Sequence, residues 1–236
     1  MSGHSKWAQI HRQKGAADAK RGALFTKLGN AITMATKSGG GDPETNFKLR
    51  LAIDQAKIAN LPKDNIERAI KRGIGELAGG KIEEVTYEGF GPYGIPIIIE
   101  SLTDNRNRTS SNIKHLLDKY GGSLGGPNSV SWMFEQKGII RIDKIDEKIE
   151  LELIDAGAQD IQKDDDGVAI YTTPNELEKI KKLLEKKGIK IQYSELERIA
   201  KDKKELTDGE KINVQKLFDE LDGDENVSNY YSNAEV

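Results

Sequence analysis

The chain has 236 residues, 32% of them charged and 36% apolar, a balance that excludes a mostly disordered polypeptide and predicts two or three domains instead of a single core. No eighteen apolar residues run together and no apolar segment follows the basic start, so neither a membrane span nor a secretory leader is expected; with no cysteine there is no disulfide, thiolate metal site or cysteine nucleophile, and a cytoplasmic protein is expected. The formal net charge of −3 hides a polarity, because residues 1–80 hold 14 Lys/Arg against 7 Asp/Glu while residues 206–236 hold 2 against 8.

The basic end begins with an arm, residues 3–21, that carries Lys6, Arg12, Lys14, Lys20 and Arg21 with His4 and His11, against Asp18 as its only acid. Such a run repels itself unless an anion compensates it, and a nucleic-acid backbone is the common polyvalent candidate. Trp7 among these cations offers a flat apolar face suited to stacking on a base. The alternative is a solvated terminus with Trp7 folded onto the body.

Beyond the arm, Leu24, Phe25, Leu28, Ile32 and Ala35 recur at helical spacing until Ser38-Gly39-Gly40-Gly41 ends the pattern. A second helix is predicted over 44–60, with Phe47, Leu51, Ala52, Ile53 and Ala56 buried. A third opens at Pro62, with Ile66, Ala69, Ile70 and Ile74 inward and Asp64 complementing the helix dipole. The outer sides keep Lys27, Lys37, Lys48, Arg50, Lys57, Arg68, Lys71 and Arg72, and glycines 73, 75, 79 and 80 mark a linker. Gly39 to Gly41 makes the first connection long and loose, and the cations lie all round the helices, so no helix-turn-helix reader is expected.

From Val85 the period becomes that of strands: 85–88, a turn over 89–94, and a buried strand over 95–103. A helix over 109–120 follows, with Ile113, Leu116, Leu117 and Tyr120 inward. The preceding loop, Asp104-Asn105-Arg106-Asn107-Arg108-Thr109, brings Arg106, Arg108 and Thr109 to a helix N-terminus, a second candidate anion site. An N-cap with the arginines in ion pairs is the competing reading. Next come a strand (138–143), helix (146–156), strand (160–164), an Asp-Asp-Asp-Gly turn, strand (168–172), helix (175–187) and strand (189–193), the βαββαβ order of a ferredoxin-like unit. A last helix (209–221) and strand (227–231) have no partners of their own and are predicted to return to the middle segment.

The fold class is therefore α+β in three domains: a basic helical N-terminal domain (1–80), a discontinuous middle domain (81–130 and 206–236), and an inserted ferredoxin-like domain (131–205). Gly89-Phe90-Gly91-Pro92-Tyr93-Gly94 matches GxGxxG literally, but a strand follows where a dinucleotide site needs a helix, so it is read as a hairpin turn. Asp164-Asp165-Asp166-Gly167 supplies too few oxygens for a calcium cage, and Asp222, Asp224 and Asn226 begin an EF-hand pattern that fails at Val227 and Asn233. No nucleophile, base and orienting acid stand out. An enzyme is not expected, nor a metal or cofactor.

Gly3-His4-Ser5-Lys6-Trp7, Leu24-Phe25-Thr26-Lys27, Asn60-Leu61-Pro62-Lys63-Asp64-Asn65-Ile66, Tyr87-Glu88-Gly89, Thr103-Asp104-Asn105-Arg106-Asn107-Arg108-Thr109, Ser129-Val130-Ser131-Trp132-Met133-Phe134 and the segment 227–233 closely resemble the YebC/PmpR family, collinearly over nearly the whole chain. Leucine at position 61, where relatives often have methionine, is a minor departure. The resemblance implies a helical N-terminal domain, two α+β domains with one inserted in the other, and no cofactor. It also implies a regulator of gene expression. Family members are described as transcriptional regulators that bind promoter DNA and as ribosome-associated factors that help translation through proline runs, and the mitochondrial relative is a translational activator of cytochrome c oxidase.

The expected partner is thus nucleic acid, either promoter DNA or ribosomal RNA on the ribosome, met by Lys6, Trp7, Arg12, Lys14, Lys20, Arg21 and Lys27. An unstructured basic arm with an aromatic suits irregular RNA, while the description of the family leans toward DNA. A protein-interaction adaptor that uses its acidic domains and tail is the alternative from a different class.

Overall fold

The computed structural model of the chain describes residues 18–77, 82–165 and 167–235, with side chains from Arg21 onward. The described residues divide into two compact units: one runs up to Met133 and resumes at Asp202, and the other is Phe134–Lys201.

The first unit opens with three helices, α1 (Asp18–Gly39), α2 (Phe47–Ile58) and α3 (Lys63–Gly73). Their apolar positions meet in one core: Ile32, Leu49, Ala52, Ile53, Ala56, Leu61, Ile66 and Ala69. Asn46 joins the first two helices. Its side-chain oxygen accepts from Leu49 N–H at 3.1 Å as the N-cap of α2, while its amide donates to the carbonyls of Ala35 and Gly40 at 2.8 Å each. The glycine-rich connection is thereby held. Helix α3 comes close to α1 at Gly73, where a Cβ would sit 2.5 Å from Thr36 Cβ and 2.7 Å from the Thr33 carbonyl. Ile74, expected inside, is 48% exposed because it is the C-cap residue and the helical face has ended.

The unit continues with β1 (Glu83–Phe90), β2 (Pro96–Thr103), α4 (Arg106–Lys119) and β3 (Ser123–Leu124). Strands β1 and β2 form the antiparallel hairpin expected of the GxGxxG segment, from Glu83↔Thr103 to Phe90↔Pro96. Helix α4 starts three residues before the expected Thr109, since Asn105 caps it.

The second unit is β4 (Phe134–Ile142), α5 (Glu147–Asp155), β5 (Ala158–Asp164), β6 (Gly167–Thr172), α6 (Leu177–Lys186) and β7 (Ile191–Ala200). Its antiparallel sheet has the order β5-β6-β4-β7, that of the split βαββαβ unit. Two strands outrun expectation: β4 begins at Phe134 and β7 ends at Ala200, paired as Phe134↔Ala200, Gln136↔Arg198 and Gly138↔Leu196. Within the Asp-rich turn, Asp164 takes up Arg141 at 2.7 Å, with both side chains 7% exposed. The turn is thus partly structural and not wholly solvated.

The chain then returns to the first unit with α7 (Asp208–Gly223) and β8 (Val227–Ser232). Strand β8 pairs antiparallel with β2, Ile98↔Tyr231 and Ile99↔Tyr230, which completes the sheet β3-β1-β2-β8. One face of that sheet packs on α4 and α7 through Val85, Tyr87, Ile97, Ile99, Ile113, Leu117, Leu217, Phe218 and Tyr230. The Phe218 and Tyr230 rings stack at 5.0 Å. Helix α7 begins with a capping box, in which Thr207 Oγ1 accepts from Glu210 N–H and Glu210 accepts from Thr207 N–H. The α+β class and the insertion of one α+β body into another follow from these pairings. Among the described residues no helix is long and apolar enough to cross a membrane.

Candidate nucleic-acid interface

Of the residues expected to meet nucleic acid, Lys6, Trp7, Arg12 and Lys14 lie outside the described residues, as does the side chain of Lys20. Arg21 is exposed in the first turn of α1. That helix starts at Asp18, so the end of the arm expected to be irregular is helical.

Downstream of the arm, the helices present Lys37, Lys48, Lys57, Lys63, Arg68, Lys71 and Arg72 to solvent. These positions alternate with the buried stripe Leu49, Leu51, Ile53, Ala56 of α2 and Ile66, Ala69 of α3, which is why the cations face outward. Two of them pair loosely with acids of their own helix, Lys57 with Asp54 at 3.9 Å and Lys63 with Glu67 at 3.5 Å. Exposed pairs of this kind are worth little and give way readily to a phosphate. Arg50 lies over the Phe47 ring at 5.1 Å.

Lys27 belongs elsewhere. Its Nζ donates to the carbonyls of Leu221 at 3.2 Å and Asp222 at 2.7 Å, the last turn of α7, and so caps that helix from 194 residues away in sequence. Burial drives its pKa down to about 8 against the pull of Asp222 and Asp224. Lys27, expected to contact phosphate, has its ammonium engaged by these two carbonyls inside the unit.

At the second expected anion site, two of the three residues have local partners. Thr109 is 0% exposed, and its hydroxyl donates to Thr103 Oγ1 at 2.8 Å. Arg108 pairs with Asp104 at 2.6 Å, and its N–H donates to the Asn105 side chain that caps α4. Arg106 faces solvent, with its carbonyl accepting from Tyr87 O–H at 3.1 Å. Asn105 caps the helix and takes up one of its first-turn amides, and the Arg108–Asp104 pair is exposed like those of α2 and α3.

Two residues escaped sequence reading. Glu88, on β1, accepts from the backbone N–H groups of Asn128, Val130 and Ser131 at 3.0, 2.9 and 2.9 Å. Partial burial pushes the Glu88 carboxyl up, but these three donors and the Ser131 hydroxyl outweigh it and hold the group below the ordinary carboxylate value. The loop so fastened carries Trp132 at 67% exposure. Nothing in the periodicity marks either residue, since the contacts join positions about forty apart in the sequence.

An open groove of about 620 Å³ runs between α4 and α7, lined by His115, Tyr120, Lys216, Asp219, Glu220 and others, with no hydroxyl nucleophile of serine or threonine among them. Among the described residues no three His, Asp or Glu side chains are placed to hold a metal.

Comparison with known proteins fits this architecture. The TACO1/YebC protein N-terminal domain matches residues 5–76, and the TACO1/YebC second and third domain matches residues 82–234. A probable transcriptional regulatory protein of Thermoanaerobacter pseudethanolicus is 49% identical over 240 residues, covering 100% of this chain and 98% of the relative. Another from Persephonella marina is 50% identical over 241 residues, covering 100% and 96%. The crystal structure of a conserved hypothetical protein from Aquifex aeolicus superposes with a TM-score of 0.79 at 42% identity, covering 92% of this chain and 91% of that one. With both parts of the chain matched and full-length relatives at such identity, the chain belongs to the TACO1/YebC family, whose curated members are named as probable transcriptional regulatory proteins.

Proposed function

We propose that this chain is a non-enzymatic regulator of gene expression that binds nucleic acid through the arm, residues 3–21, and the cationic outer sides of α2 and α3. The observation that carries the reading is the set of solvent-facing cations, Lys48, Lys57, Lys63, Arg68, Lys71 and Arg72, on two helices of the helical part that the basic arm leads into. The names of the relatives support promoter DNA as the target. So does the connection between α2 and α3, a short turn over 59–62 with Asn60 in the left-handed region at φ 58°, which is shorter than the first connection.

Ribosomal RNA is the second reading. It is favoured by the spread of cations over both helices, which suits backbone contacts on an irregular surface better than base contacts from one helix.

Fluorescence anisotropy with a promoter duplex and with a structured ribosomal RNA fragment tests both, over a range of salt concentrations. Log affinity should fall with log salt by about 0.9 for each phosphate contact on a duplex. Replacing Arg68, Lys71 and Arg72 with glutamine should flatten that slope, and an affinity indifferent to salt would overturn the proposal.

A further inference from the structure

The groove between α4 and α7 combines an apolar and an acidic lining. Leu116 and Tyr120 of α4 face it while packing, half-buried, against the core of the unit. Helix α7 adds Asp219, Glu220 and Asp224, with Lys216 the only lysine or arginine in the lining. Glu220 is shared with Lys119 at 2.8 Å. Asp219 accepts from the Gln215 amide at 3.0 Å and Asp224 from the Asn226 N–H at 2.8 Å, and such neutral donors orient a carboxylate while leaving its charge in place. Asp224 also lies at the C-terminal end of α7, where the helix dipole favours a cation.

Lys27 fixes where the basic arm begins relative to this groove. From the carbonyls of Leu221 and Asp222, α1 runs back to Asp18 over about 14 Å. The chain before Asp18 holds Lys6, Arg12 and Lys14, with Trp7 and Ile10, and no acid. Residues 1–17 extended span about 56 Å, against about 12 Å for the groove from Lys216 to Asp224, so the arm reaches the groove whichever way α1 points. Its cations complement Asp219 and Asp224, and its ring and isoleucine complement Leu116 and Tyr120. Exposed ion pairs are individually weak, but a tethered partner acts at an effective concentration in the millimolar range.

We propose that the groove between α4 and α7 receives this chain's own basic arm in the absence of nucleic acid, so that groove and phosphate backbone compete for Lys6, Arg12 and Lys14. The competition rests on the reading under Proposed function; the docking of the arm does not. Apparent affinity for nucleic acid is then lowered by the fraction of molecules whose arm is docked.

The chain has no cysteine, so Ser5→Cys gives a single thiol for a nitroxide label in the full-length protein. Paramagnetic broadening of amide signals should single out residues 115–120 and 216–224 in the free protein, and a promoter duplex should restore those signals. Asp219→Asn with Asp224→Asn should reduce the broadening and raise duplex affinity about 2- to 10-fold. Glu205→Gln with Asp208→Asn, at the other end of α7, removes the same charge and should leave affinity nearly unchanged; an equal gain from both pairs overturns the inference in favour of net charge alone. No broadening in the free protein overturns it and leaves the nucleic-acid reading to its own test. Broadening that persists with the duplex bound overturns it too, because the arm would then be a fixed part of the fold. Broadening passed from labelled to unlabelled molecules in a mixture assigns the groove to a second copy and likewise overturns it. Broadening in a wild type that binds no duplex supports the docking and rejects the nucleic-acid reading.

Discussion

Replacing Lys27 with methionine keeps the length of the side chain and removes its charge, along with the two bonds to the carbonyls of Leu221 and Asp222. Two effects oppose each other. Bonds from a charged donor contribute about 1.5–3 kcal/mol, and the C-terminal end of α7 with Asp222 and Asp224 attracts a cation. Burial of the ammonium costs more, which is why the pKa falls from 10.5 to about 8. Near pH 7 the charged side chain is therefore a net cost to the folded state, so Lys27→Met should raise stability, by at most about 3 kcal/mol.

The pH dependence is the sharper consequence. Between about pH 8 and 10.5 the unfolded chain keeps the Lys27 proton while the folded chain has lost it. The unfolded state then binds more protons, so stability rises with pH across that window, by about 3 kcal/mol for a shift of this size. The methionine variant lacks that proton. Urea denaturation of both proteins at steps from pH 7 to pH 10, followed by far-ultraviolet circular dichroism, should show wild type gaining on the variant as pH rises. A difference that stays flat or shrinks with pH would refute the idea that Lys27 is a buried charge.

Gly73→Ala should destabilise the helical part by about 1–3 kcal/mol, since the new methyl meets Thr36 Cβ at 2.5 Å and the Thr33 carbonyl at 2.7 Å; thermal unfolding reads this directly. Glu88→Gln should cost about 1 kcal/mol by weakening three charge-assisted bonds. Because the folded pKa of Glu88 is lowered, its contribution is present above the unfolded carboxylate value and fades as pH falls through the folded one, so wild type and Glu88→Gln should converge in acid denaturation profiles. Thr207→Ala breaks the capping box of α7 and should cost about 1 kcal/mol in urea.

Much of this fold can be read from periodicity because its core residues are aliphatic and regularly spaced. Ile97, Ile98 and Ile99 announce a buried strand, and Val214, Leu217, Phe218 and Leu221 a buried helical face, all nearly inaccessible to water. Reading fails where polar residues carry the structure. Strand β7 runs on through Glu195, Glu197 and Arg198, and Glu197 is 1% exposed, so a rule that turns charges outward stops the strand too soon. Arg108, Thr109 and Lys27 look like anion ligands in sequence, and the structure gives each a partner within the chain, Asp104, Thr103 and the end of α7. Two of those partners are close in sequence and could have been weighed; the carbonyls that hold Lys27 could not. Trp132 gave no signal of exposure, because its support is a carboxylate on a distant strand.

The central claim is that nucleic acid is bound through the arm and the helical face. Ultraviolet crosslinking in living cells, followed by sequencing of the attached nucleic acid, tests it most directly when wild type is compared with a variant in which Lys6, Trp7 and Lys14 are replaced by alanine. The account predicts a defined set of promoter DNA sites or one concentrated patch of ribosomal RNA, strongly reduced in the variant. Recovery of no nucleic acid above background, or the same recovery from both proteins, would contradict it.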